Sequence, residues 1–171
     1  VTHQNNMPAD IAANFPYAEK DGSLYNRYRS WALNANLSYE LDALTLSSVT
    51  NYNTNNNRWA CACDFQTSNA GQWATENSTW KAFSQELRAQ TPLDGPFNGM
   101  VGALYQKTRR DFGQYIAFAG LRNSAASTEN LYMATRKDSY TKGETFALFG
   151  QLSWKIVPEL ELAGGVRYTH E

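Results

Sequence analysis

Apolar and polar residues alternate along much of this chain with a period of two, and the alternating runs come in pairs. The clearest pair spans Glu144 to Glu171. Phe146, Leu148, Gly150, Leu152, Trp154 and Ile156 form one row, and Thr145, Ala147, Phe149, Gln151, Ser153 and Lys155 form the other. Val157-Pro158-Glu159 interrupts the run. Alternation then resumes as Leu160, Leu162, Gly164, Val166 and Tyr168 against Glu161, Ala163, Gly165, Arg167 and Thr169. Period-two patterning on both sides of a Pro-bearing connection predicts a β-hairpin. A three-residue loop over Val157-Pro158-Glu159 pairs Ile156 with Leu160, Trp154 with Leu162, Leu152 with Gly164, Gly150 with Val166 and Leu148 with Tyr168. Both apolar rows then share one face, and Gln151, Lys155, Glu161 and Arg167 share the other.

The same pattern recurs upstream. Trp31, Leu33, Ala35, Leu37, Tyr39 and Leu41 alternate with polar positions. The two-residue link Asp42-Ala43 leads into Leu44, Leu46, Ser48, Thr50 and Tyr52. This turn sets Leu41 opposite Leu44, Tyr39 opposite Leu46 and Leu33 opposite Tyr52. A third strand is predicted near Lys81–Thr91, with Phe83, Gln85, Leu87 and Ala89 in one row and Ser84, Glu86, Arg88 and Gln90 in the other. Pro92-Leu93-Asp94-Gly95-Pro96 is a turn by composition. A fourth strand covers about Asn98–Asp111, its facing ambiguous because Met100, Gly102, Leu104 and Val101, Ala103, Tyr105 are both apolar rows. Residues 1–23, 53–80 and 112–143 carry no sustained period and read as long loops.

Short links alternate with long ones. In an up-and-down antiparallel sheet this collects the short turns at one end and the long polar loops at the other, the asymmetry of outer-membrane barrels. Strands of about 10–13 residues meet the ~9–11 needed to cross a bilayer at a tilt. Aromatic residues such as Trp31, Tyr52, Phe83, Trp154 and Tyr168 lie toward strand ends, where interfacial girdles sit. A soluble β-sandwich also alternates, but its strands are shorter, its links are not sorted by length to one end, and Greek-key connections are usual. The expected fold is therefore all-β, a transmembrane antiparallel up-and-down barrel segment of about six long strands.

Composition narrows the partners. Charged residues make up 18%, aromatics 13%, and the net charge is -1, which leaves no basic footprint for nucleic acid. No apolar run reaches the ~20 residues of a membrane-spanning helix. A negative mean hydropathy does not argue against membrane strands, which alternate. The chain opens on Val-Thr-His and closes on Tyr168-Thr169-His170-Glu171 at a strand end, and is expected to be a piece of a longer polypeptide with any export signal upstream.

With the strands placed, the wording is familiar. Phe83-Ser84-Gln85-Glu86-Leu87-Arg88, Gly102-Ala103-Leu104-Tyr105, Phe149-Gly150-Gln151 and Gly165-Val166-Arg167-Tyr168-Thr169-His170-Glu171 resemble the barrel of TonB-dependent outer-membrane receptors. Leu44 to Tyr52 resembles the strand that precedes these motifs in that family. The likeness runs through residues 31–171 and is weakest in the loops. It implies a barrel of about 22 strands in the Gram-negative outer membrane, in contact with lipid, of which residues 1–171 supply part. It also implies uptake of a bulky, scarce nutrient, most often a ferric siderophore, otherwise a vitamin B12-like compound or an oligosaccharide. The plug domain and TonB that drive such uptake would lie outside this chain. The alternatives from other classes are a passive porin-like barrel and a soluble extracellular carbohydrate-binding β-domain.

Chemistry-bearing residues are sparse. Nothing resembles a Ser-His-Asp set, a HExxH, a phosphate-cradling Gly loop or an EF-hand, so no enzymatic activity, metal centre or cofactor is expected. Glu86, Arg88, Gln90, Gln151, Lys155, Glu161 and Arg167 are expected on the barrel interior, where they either line a hydrated path or simply satisfy one another. The loop aromatics Trp59, Trp73, Tyr115, Tyr132 and Tyr140 suit stacking on a planar or sugar-like ligand, with Arg58, Arg122 and Arg136 attracting an anion. Against this, long loops also pack on their own aromatics. Cys61 and Cys63 form a Cys-Ala-Cys in mid-loop, too few donors for a tetrahedral metal site. In an exported chain they are expected to form a local disulfide that staples the loop.

Overall fold

The computed structural model describes residues 6–63, 71–92, 95–118 and 120–171. Residues 64–70 of the expected second loop, and Leu93 and Asp94 of the expected second turn, lie outside the described residues. Among the described residues there are six strands: β1 (Tyr25–Glu40), β2 (Thr45–Ala62), β3 (Gln72–Gln90), β4 (Phe97–Phe118), β5 (Met133–Val157) and β6 (Leu160–His170). A four-residue helix, α1 (Ala9–Ala12), precedes them, and a 3-10 turn covers Thr128–Asn130. The strands form one sheet in the order β1-β2-β3-β4-β5-β6, antiparallel and up-and-down. Each strand pairs with its neighbours in sequence, as the alternation predicts, with no Greek-key crossing.

The closing hairpin follows the expected register with one change. Trp154 pairs with Leu162, Leu152 with Gly164, Gly150 with Val166 and Leu148 with Tyr168. At the turn, however, Val157 rather than Ile156 pairs with Leu160, because the register shifts between Lys155 and Val157. An extra residue in β5 lets a two-residue Pro158-Glu159 turn close the hairpin where pattern alone asks for three. At the β1–β2 turn, the Leu41 N–H donates to the Leu44 carbonyl at 2.9 Å.

The long loops are shorter than the pattern suggests. β2 continues to Ala62, β3 begins at Gln72, β4 runs to Phe118 and β5 begins at Met133. β4 and β5 have 22 and 25 residues, about twice the ~9–11 that a bilayer crossing requires. The extensions lack apolar alternation because their rungs are polar. The Asn56 amide donates to the Asn77 side-chain oxygen at 2.8 Å and to the Thr79 hydroxyl at 2.8 Å, and Arg58 Nε donates to Asn77 at 2.9 Å. Side-chain bonds across the pair hold the register there.

The described chain divides into two compact units. One comprises residues Trp31–Thr54, Lys81–Arg109 and Lys142–Glu171. Its apolar row faces outward without any covering layer: Leu33 is 70% exposed, Leu152 72% and Val166 80%. An uncovered apolar face that extends over several strands is not a water-facing surface. Here the ambiguous β4 is settled. The Phe83 and Tyr105 rings meet at 6.5 Å, and Val101 lies against the Gly150 position, so Val101-Ala103-Tyr105 joins the apolar face. Gly102 lies under Phe149 on the opposite face, where a Cβ would stand 2.3 Å from the ring. On that same polar face Arg167, paired with Phe149, sets its guanidinium 5.8 Å from the ring centre. Glu86 and Arg88 form an ion pair, and Gln90 and Gln151 border a small polar recess with Asn98 and Ser153.

The other unit comprises Val1–Ser30, Asn55–Trp80 and Arg110–Thr141. The first stretch, expected as a loop, is a folded strap within residues 6–24. Met7, Ile11, Ala12 and Phe15 are buried against Trp73, Tyr115 and Ala117, with Ala18, Leu24, Ala62, Tyr132 and Met133 packed around them. The strap is closed on itself: the Met7 N–H donates to the Gly22 carbonyl at 2.9 Å. It is tied to the sheet by the buried Thr75 hydroxyl, which donates to the Pro16 carbonyl at 2.8 Å. Four small apolar contacts spaced among prolines and polar residues have neither a helical nor a strand period, which is why the pattern hides them.

Candidate functional site

Among the residues expected to meet a ligand, the structure shows two groupings, which share Tyr115. Trp73, Tyr115 and Tyr132 belong to the packing beneath the strap, and Trp73 is 5% exposed. Trp73 is therefore a core residue. It lies on a strand extension, so the strap covers its ring instead of leaving it open in a loop. Trp59 is partly buried on β2, and Arg122 is exposed beyond β4. The Tyr132 hydroxyl donates to Asp10 at 3.0 Å, and this bond raises its pKa; the charge of Arg122 opposes that shift.

The second group lines a pocket of about 300 Å3 formed by Tyr17, Asn77, Asp111, Phe112, Gly113, Tyr115, Asp138, Ser139 and Tyr140. Tyr115 and Tyr140 were expected as ligand-facing; Tyr17, Asp111 and Asp138 were not. Tyr17 comes from the strap, with a positive φ of 58°, and its ring meets Tyr115 at 5.7 Å. Two of the expected arginines stand over these rings, Arg58 at 5.6 Å from Tyr17 and Arg136 at 5.7 Å from Tyr115. Arg136 also pairs with Asp138 at 2.7 Å. The one signal that pointed to Asp138 is its position two residues after Arg136, on the same side of β5. Tyr17 had no such signal.

Burial comes first in raising the Tyr115 phenol to about 12, followed by its hydrogen bond to Asp138. The same bond, then that from Arg136, lowers the Asp138 carboxyl below its usual value. The signs are opposite in consequence. The Tyr115 contribution to stability is fully present below its ordinary pKa of 10.0 and is lost as pH rises through about 12. The Asp138 contribution is present above 3.8 and is lost as pH falls through its lowered value. A tyrosinate titration at 295 nm should show a late-ionising group that Tyr115→Phe removes. A wild-type titration that is complete with the exposed tyrosines would refute this assignment.

Chemically, the pocket offers aromatic faces and two carboxylates, with the Arg58 and Arg136 guanidinium groups over two of its rings, which suit binding and orientation of a flat or polyoxygenated molecule. Cys61 and Cys63 lie near it in sequence but at the end of β2, not in mid-loop. Their sulfurs are within bonding distance, their Cα atoms are 5.5 Å apart, and the Cys63 N–H donates to the Gln72 carbonyl at 2.8 Å.

Comparison with known proteins bears on the whole chain. The family described as TonB dependent receptor-like, beta-barrel matches residues 2–171. Pesticin receptors of Yersinia enterocolitica and Yersinia pestis are each 31% identical over 93 residues, covering 54% of this chain and 12% of theirs. The crystal structure of the ferric yersiniabactin uptake receptor FyuA from Yersinia pestis superposes with a TM-score of 0.69 at 19% identity. That match covers 85% of this chain and 21% of FyuA, and at such identity it speaks to the fold. The chain thus spans about an eighth of the curated relatives it matches. By the family match over nearly its full length, it belongs to the TonB-dependent receptors, β-barrel proteins of the Gram-negative outer membrane, and forms part of that barrel.

Proposed function

We propose that the chain is part of an outer-membrane transporter that imports a bulky, scarce nutrient, a ferric siderophore before an oligosaccharide, with the Tyr17–Tyr115–Tyr140 pocket among its outer ligand contacts. The observation that supports the iron reading is the fold shared with a ferric yersiniabactin uptake receptor, within a family matched over residues 2–171. Energy would come from TonB, acting through a plug domain; neither lies within residues 1–171. The long polar strand extensions fit this role, because β4 and β5 have more residues than a bilayer crossing requires.

In the intact receptor, Tyr140→Ala and Arg136→Ala should each lower uptake of the cognate ferric chelate by about tenfold, equivalent to ~1.4 kcal/mol. The yield of heat-modifiable barrel should not change. Unchanged uptake in both variants would remove the pocket from the ligand path. Unchanged uptake of every ferric chelate after deletion of the receptor would remove iron itself.

A further inference from the structure

Cys61 and Cys63 are bonded to each other across a single residue. A cross-link stabilises a chain chiefly through the loop it closes in the unfolded state, and this one closes almost none. Its effect lies instead in the folded backbone. Positions i and i+2 of an extended strand are about 6.6 Å apart. Here the two Cα atoms are 5.5 Å apart, so the bond draws the end of the strand in by roughly 1 Å. β2 ends at Ala62, between the two cysteines. The next rung is kept, since the Cys63 N–H donates to the Gln72 carbonyl at 2.8 Å.

The contraction reaches Ala62. Successive side chains of a strand point to opposite faces, so Ala62 points away from both sulfurs. It packs against the buried cluster of Met7, Ile11, Ala12, Phe15 and Trp73 that holds the strap. Both cysteines are partly exposed, within reach of a small reagent. We propose that the Cys61–Cys63 bond is a redox site for small thiols, and that its state sets how firmly residues 6–24 are held. A thiolate attacks one sulfur, forms a mixed disulfide and expels the other cysteine as a thiolate, which takes a proton from water. A second thiol of the reagent then displaces the first cysteine. The dithiol is oxidised to a disulfide, and Cys61 and Cys63 are reduced to two thiols. The freed strand end extends, and Ala62 leaves its place against the cluster. The strap also carries Tyr17 to the pocket. Any bearing on uptake rests on the reading above, whereas the hold on the strap does not.

The test uses the intact receptor in detergent, with and without millimolar dithiothreitol. Alkylation and mass spectrometry report the bond, and hydrogen exchange reports the strap. Reduction should leave a heat-modifiable barrel with both cysteines alkylated. Exchange across residues 6–24 should then rise about tenfold, while exchange across residues 144–171 stays the same. Cys61→Ser with Cys63→Ser should show the faster exchange without reductant and no response to it. Ala62→Gly removes the packed methyl and leaves the bond, so reduction should then change strap exchange by less than about twofold. A bond that resists dithiothreitol in the folded receptor, unchanged strap exchange after verified reduction, or a full response in Ala62→Gly would each overturn the proposal. If the serine variant does not fold, wild type and Ala62→Gly decide the matter between them. None of these readouts is uptake, so the failure of either reading leaves the other standing.

Discussion

Trp73→Ala should cost the strap-bearing unit about 3–5 kcal/mol, the range for removing a large buried aromatic. Trp73 shares a buried cluster with Met7, Ile11, Phe15, Tyr115 and Ala117, and a side chain on a hydrogen-bonded strand cannot shift far to fill the void. The damage should be local. Hydrogen exchange across residues 6–24 should accelerate to the rate of an open chain, while the intact receptor keeps its heat-modifiable barrel. Unchanged protection of residues 6–24 would mean that the strap is held elsewhere and that Trp73 is not its anchor. The experiment also separates two roles for this tryptophan. If the ring contacted ligand directly, uptake would fall while the strap stayed protected; for a core residue, both change together.

Gly22→Ala is the second large effect, and it acts through the backbone. Gly22 has φ +76°, and a Cβ there would stand 1.9 Å from the Met7 carbonyl oxygen. The left-handed conformation costs an L-residue about 1–2 kcal/mol. The contact atom is backbone and cannot swing aside, so the Met7–Gly22 bond that closes the strap must open as well. The total should reach roughly 3 kcal/mol or more. Limited proteolysis should then cut between Ala18 and Leu24 in the variant and leave wild type intact. Gly120→Ala is the control: nothing lies within 4 Å of its added Cβ, and stability should move by no more than about 0.5 kcal/mol. Equal proteolysis of the two variants would refute the argument.

The contrast between hairpin and strap shows what a period can carry. Four of the five pairings expected for β5 and β6 are present, because one face of that hairpin is apolar and a slip of one residue would turn Leu148, Leu152 and Trp154 to the wrong side. The fifth differed since a bulge is a local matter that alternation does not record. Where both faces meet water the signal disappears. Asn53 to Asn57 reads as loop, yet Asn56 bonds across to Asn77 and Thr79 as a strand residue does. Of the site, Tyr115, Tyr140, Arg58 and Arg136 were legible as residue types on water-facing segments. Which of those aromatics open to a pocket, and which are sealed, was not. That depends on Met7, Ile11 and Phe15 reaching across more than fifty residues of sequence to Trp73, a contact that no local pattern encodes.

The amide-bonded rungs of β2 and β3 have a consequence for how such a receptor can change. The stem of this hairpin keeps its register through the polar bonds of Asn56, Arg58, Asn77 and Thr79, beside the apolar packing of Ala62 and Trp73 beneath the strap. Changes of sequence or length between Cys63 and Gln72 should therefore leave that stem in register.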